Sequence, residues 1–112
     1  MSDETGWLAD LFEPVGPISI RRMFGGCGIY RDGVMFALVS DNEIFLKCDE
    51  TTAPRFREAG CRPFVYEKNG KPVEMSYWSL PDQALDDREF LKVWADLAFE
   101  SALRAKKPAQ KS

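Results

Sequence analysis

The run Arg21-Arg22-Met23-Phe24-Gly25-Gly26-Cys27-Gly28-Ile29-Tyr30-Arg31-Asp32-Gly33-Val34-Met35-Phe36-Ala37-Leu38-Val39 constrains the fold more than any other part of the chain. Asp32-Gly33 separates two apolar runs, and a two-residue hairpin turn needs positive φ at both central residues, which Asp and Gly accept. Gly25-Gly26 falls where the strand entering from Ile18 should end, so the backbone there must turn, bulge or lie against something. A chain with this segment commits to antiparallel strands joined by tight turns.

The rest of the sequence extends the pattern. Ile18 to Phe24, Cys27 to Tyr30, Val34 to Val39 and Glu43 to Cys48 read as four consecutive strands, the last entered through an Asp41-Asn42 turn. Phe64 to Tyr66 and Val73 to Trp78 form a further pair across Asn69-Gly70. Three helices complete the order. Trp7, Leu8, Leu11 and Phe12 recur at helical spacing over residues 4–13, before Pro14 and Pro17. Thr51 or Thr52 is placed to cap a short helix with Pro54 in its first turn, Phe56 on its buried side and Gly60 at its left-handed end. A long final helix starts near Asp86 or Asp87, where Asp86 and Glu89 have capping-box spacing. Its stripe is Phe90, Val93, Trp94, Leu97 and Ser101, with Leu91, Ala95 and Ala98 beside it. The order helix, four strands, helix, two strands, helix predicts an α+β two-layer domain. It should contain one antiparallel sheet of about six strands, spanning residues 1–105 and followed by a basic tail, 106–112.

Charge is unevenly placed. Residues 1–103 carry all 18 carboxylates against 11 of the 15 lysines and arginines; Arg104, Lys106, Lys107 and Lys111 follow. An acidic body does not suit a dedicated DNA-binding domain, which gains affinity by neutralising phosphates. Direct nucleic-acid binding is expected to be weak or absent, and confined to the tail. The three cysteines, Cys27, Cys48 and Cys61, are odd in number, form no C-x-x-C pair, and have no histidine to join them. That argues against a disulfide framework and against a Cys/His zinc site. With no signal-peptide pattern and no apolar run near bilayer length, a cytoplasmic protein that makes no membrane contact is expected.

Catalytic patterns are scarce. The commonest general base, histidine, is missing, and no nucleophile elbow or dinucleotide fingerprint occurs. No catalytic residue, cofactor or metal is expected, and the chain reads as a non-enzyme. Two surface candidates stand out. Arg21-Arg22 before Met23-Phe24-Gly25-Gly26 offers cations beside bare glycine amides. The competing reading is a bulged strand end whose arginine stems cover apolar side chains, one arginine supporting the core layer and the other meeting solvent. Tyr77-Trp78, flanked by Met75 and Leu80, places adjacent aromatics on opposite faces of the last strand, a composition suited to an interface or to stacking on a base. The strand from residue 34 also reads as apolar on both faces, with Val34, Phe36 and Leu38 on one and Met35, Ala37 and Val39 on the other. Helices covering one face would leave the other bare, so a homodimer is expected; the alternative is a first helix folded over the second face.

The series Arg22-Met23-Phe24-Gly25-Gly26-x-Gly28-Ile29-Tyr30, then Gly33-x-Met35-Phe36-Ala37-Leu38, resembles the N-terminal domain of the TfoX/Sxy family of bacterial DNA-uptake competence regulators. The likeness continues through Leu46-Lys47-Cys48-Asp49, Phe56-x-x-Ala59-Gly60 and Pro63-Phe64-x-Tyr66 to Met75-Ser76-Tyr77-Trp78-x-Leu80-Pro81 and the Trp94 helix. It implies an α+β domain with one antiparallel sheet and a non-catalytic regulatory role. It further implies a protein partner, a transcription activator of the cyclic-AMP-receptor type. Family regulators carry a second, helical domain beyond this one. The alternative function is a small-ligand or anion-binding domain using the Arg21/Arg22–Gly25/Gly26 region.

Overall fold

A computed structural model describes residues 4–23 and 26–106. Helix α1 (Glu4–Leu11) runs into a 3₁₀ turn (Glu13–Val15) and then into strands β1 (Ser19–Met23), β2 (Gly26–Arg31), β3 (Val34–Ser40) and β4 (Glu43–Lys47). Helix α2 (Ala53–Glu58) leads to β5 (Pro63–Lys68) and β6 (Lys71–Ser79), and a second 3₁₀ turn (Asp82–Leu85) enters α3 (Arg88–Lys106). The α+β architecture and the element order are those expected from the sequence.

The three tight turns behave as their residues dictate. Asp32 and Gly33 have φ of 51° and 78°, Asp41 and Asn42 of 52° and 64°, Asn69 and Gly70 of 55° and 78°. Positive φ at both central positions matches the right-handed twist of the strands on either side. All strand neighbours are antiparallel, in the order β1-β2-β3-β4-β6-β5. The last hairpin therefore docks by its second strand: β6 enters beside β4 and leaves β5 on the edge.

Two irregularities shape this sheet. Between β2 and β3, Ile29 pairs with Ala37 and Tyr30 with Met35, so Phe36 has no partner across the ladder. A bulge puts two consecutive residues on one side. Val34, Phe36, Ala37 and Val39 accordingly share the main core, while Met35 and Leu38 take the opposite face. The simple alternation read from the sequence is corrected here, because the extra residue shifts the phase mid-strand. The second irregularity is in β6. Pro63 faces Trp78 but Val65 faces Glu74, so β6 has surplus residues opposite Phe64 and bends. Its C-terminal half pairs with β4 and its N-terminal half with β5.

All three helices contribute to one face. Leu8 and Phe12 of the α1 region, Phe56 of α2, and Leu91, Trp94, Ala95, Ala98 and Ala102 of α3 join the core cluster over the sheet. Phe12 meets Phe36 edge-on at 5.9 Å, and Trp94 meets Phe56 at 4.8 Å. The α3 stripe is rotated from the expected one: Val93 is 54% exposed and Phe90 and Leu97 are half-buried, while the small residues Ala95 and Ala98 are fully buried. Small side chains let the helix axis approach β3 and β4 closely, and that contact selects the buried face. Asp87, not Asp86, caps α3, its carboxylate accepting from the Glu89 and Phe90 amides. No helix among the described residues is long and apolar enough to cross a membrane.

Candidate interaction surface

Among the described residues strand β1 is an edge strand, hydrogen-bonded to β2 alone. Its register fixes where the arginines go. Ile20 pairs with Ile29 and Arg22 with Cys27, both core residues on the helix side; Arg21 pairs with Gly28, whose other neighbour Leu38 is on the far side. Arg21 and Arg22 thus leave opposite faces of the sheet, yet both are exposed. Neither arginine is buried, whereas Ile18 and Ile20 just before them pack against the core. The Arg21 guanidinium stacks 5.2 Å from the centre of the Tyr30 ring. No carboxylate pairs with either arginine among the described residues, whereas Arg31, Arg62, Arg88 and Arg104 each have an acidic partner.

Gly26 has a packing reason to be glycine. A Cβ built on it would overlap the Val39 carbonyl oxygen outright. The residue marks a close approach of β2 to the end of β3, which holds the β1–β2 hairpin in place. Phe24 and Gly25 lie outside the described residues, and Met23 is described as backbone only.

Tyr77 and Trp78 face opposite sides, as adjacent strand residues must. Tyr77 sits on the far side with Leu38 and Phe45, all three buried, and with half-buried Met35, Phe64 and Met75 against them. The bend of β6 fills this face from within the same chain. Burial first, and then the neighbouring Tyr30, push the Tyr77 phenol up to about 12. Tyr30 pairs with Met35 on the Tyr77 side, and the Arg21 guanidinium lies over Tyr30, so all three share the far side. Lys47 lies 5.1 Å from the Tyr77 ring centre and donates to the Ser76 hydroxyl at 2.8 Å. Trp78 turns to the helix side against Phe56 at 6.4 Å, with the Arg57 guanidinium 5.7 Å from its ring centre. Of the sequence candidates, Arg21 and Tyr77 share a face, whereas Arg22 and Trp78 lie on the other face with three strands between them.

One polar cluster escaped sequence reading. The Asp49 carboxylate accepts from the Thr51 and Thr52 amides, from the Thr52 hydroxyl, and from Arg104 through Nε at 2.7 Å and a terminal nitrogen at 3.1 Å. The Arg104 hydrogen bonds, ahead of the Thr52 and Thr51 amides and against partial burial, hold its carboxyl down at about 2. Thr52 makes no cap bond of its own. Its hydroxyl instead meets the Ser101 hydroxyl at 3.0 Å in the interior, and Ser101 donates back to the Leu97 carbonyl at 3.1 Å. The cluster clasps the end of α3 to the start of α2. Beside it runs an open cleft of about 510 Å³ bordered by Glu50, Glu74, Met75, Trp78 and Ala105. Burial raises the thiols of Cys48 and Cys61, so both favour the neutral form. Among the described residues no three His, Cys, Asp or Glu side chains converge as metal ligands.

Residues 10–102 match the TfoX N-terminal domain model. The chain belongs to this family. It is similar to the DNA transformation protein TfoX1 of Aliivibrio fischeri, 29% identical over 68 residues, covering 61% of this chain and 32% of that one. It is 28% identical over 94 residues to the DNA transformation protein TfoX of Haemophilus influenzae, covering 82% of this chain and 43% of that one. Protein Sxy of Escherichia coli is 26% identical over 92 residues, covering 82% and 44%. The chain spans less than half the length of these relatives.

Proposed function

We propose that this domain is a non-catalytic interaction module that regulates DNA transformation from the cytoplasm by binding a protein partner, a transcription activator of the cyclic-AMP-receptor type. The observation that carries the reading is the family match across residues 10–102, joined to relatives named for DNA transformation. The exposed Arg21 and Arg22 on an open sheet edge, without carboxylate partners among the described residues, supply the contact surface that favours a partner over a small ligand. A small anion would need several donors converging on one point, whereas these two guanidinium groups diverge to opposite faces.

The experiment is a chimera. The corresponding N-terminal region of the Haemophilus influenzae protein is replaced by this chain, and transformation frequency is measured. Restoration to within tenfold of the natural protein supports the reading. A frequency no higher than that of the deletion strain sinks it. Self-association belongs to the same proposal, through a different patch from the one expected. Trp7 and Leu85 are 42% and 50% exposed and border a hollow of about 220 Å³ with Ile44 and Leu80. Sedimentation equilibrium at micromolar concentration should return a two-chain mass that Trp7→Asp reduces to one.

A further inference from the structure

We propose that β1 accepts an extended acidic segment of a partner as an added strand, with two consecutive carboxylate residues opposite Arg21 and Arg22. The inference rests on the interaction-module reading and names the chemistry of the partner. Among the described residues strand β1 has a neighbour on one side only, so the amides and carbonyls of alternate residues point outward. An edge of this kind is a template for a further strand.

The arginines select which strand. Arg21 projects from the face opposite the helices and Arg22 from the helix side, and neither has a carboxylate partner among the described residues. A helix or a flat acidic surface laid on either face reaches one guanidinium and not the other. A strand lying in the plane of the sheet reaches both, because its own successive side chains alternate between the same two faces. Two neighbouring Asp or Glu residues then meet the two arginines at once. Stacking on Tyr30 occupies the flat face of the Arg21 guanidinium and leaves its edge N–H groups to bind a carboxylate.

The same charges disfavour one competitor. A second copy pairing β1 to β1 in a register centred on Arg21 or Arg22 would set arginine against arginine, and like charges opposite each other disfavour a ladder. The edge is therefore selective as well as open. The other edge, β5, has no such bias, since Glu67 and Lys68 stand together there.

The test uses the whole chain, labelled with ¹⁵N, titrated with the blocked peptide TVTEDVTV. Its controls are TVTKKVTV and TVTNQVTV. The expected result is saturable binding of the acidic peptide below roughly 1 mM. Shift changes and slowed amide exchange should be confined to β1. Affinity should fall at least tenfold with TVTNQVTV, and severalfold between 50 and 500 mM salt as the charges are screened. Charge reversal, R21E with R22E, should abolish binding of the acidic peptide and give binding of TVTKKVTV. The neutral pair R21Q/R22Q should weaken the acidic peptide at least tenfold, and carries the test if the reversed pair fails to fold. No saturation by 5 mM, or shifts mapping away from β1, would overturn the proposal. The chimera can fail while the peptide binds, or the reverse, so the two results separate the added strand from the role in transformation.

Discussion

Replacing Asp49 by Asn isolates what one charge contributes to the junction of β4, α2 and α3. The substitution keeps the shape of the side chain and a carbonyl oxygen for the Thr51 and Thr52 amides, and removes the charge that Arg104 grips. A carboxyl lowered from 3.8 to about 2 has its ionised form favoured by roughly 2.5 kcal/mol if nothing screens it. Solvent does screen it: the Asp49 side chain is 25% exposed and that of Arg104 is 45% exposed. We expect about 1–2 kcal/mol at pH 7, a fall in midpoint temperature of about 4–8 °C for a domain of this size. The sign follows from linkage. A depressed carboxyl adds stability that is present above its unfolded value, near 4, and lost as pH falls through its folded value, about 2. Urea denaturation of both proteins at pH 7, 4, 3 and 2 should show the gap shrinking steadily, to a minor fraction of its pH 7 value by pH 2. A gap under about 0.5 kcal/mol at pH 7 would refute the reasoning, and so would a gap of constant size down to pH 2, which would trace the loss to altered packing rather than charge.

Other substitutions test other parts of the structure. Trp94→Ala empties the place where the indole meets Phe56 at 4.8 Å and should cost about 3–5 kcal/mol in urea denaturation; a loss below about 1 kcal/mol would mean α3 does not pack as described. Gly26→Ala forces β2 away from the Val39 carbonyl and should cost about 1–3 kcal/mol, with amide-exchange protection falling first in β1 and β2. Spectrophotometric titration should find one tyrosine still protonated at pH 11, and Tyr77→Phe should remove that late component. Alkylation at pH 8 should modify half-buried Cys61 before buried Cys27 and Cys48, and denatured protein should yield three thiols by mass.

What the sequence disclosed was local. Asp32-Gly33 and Asn69-Gly70 announce their turns because few other dipeptides accept positive φ twice in succession, and Gly60 ends α2 at φ 82° for the same reason. What it concealed was relational. Nothing in Val34–Val39 marks Phe36 as the extra residue, since every side chain there is apolar and either phase looks equally sound. The docking of β6 inside β5 depends on which edge fits β4, and no dipeptide encodes that. Asp49 stands in a short family segment and Ser101 in a helix stripe more than fifty residues away; only the fold brings them, through Thr52, into one cluster. The arginines were visible as a pair, but which face each leaves by depended on the register of β1 against β2.

The placement of α3 has a consequence for how the chain is made. The helix that covers β3 and β4 is the last element of the domain. On the ribosome the six strands emerge first, and the Phe36, Leu46 and Phe56 side chains that α3 seals stay open to water until residue 106 has cleared the exit tunnel. A chain still lacking α3 would leave that apolar side uncovered, the kind of exposure that chaperones act on.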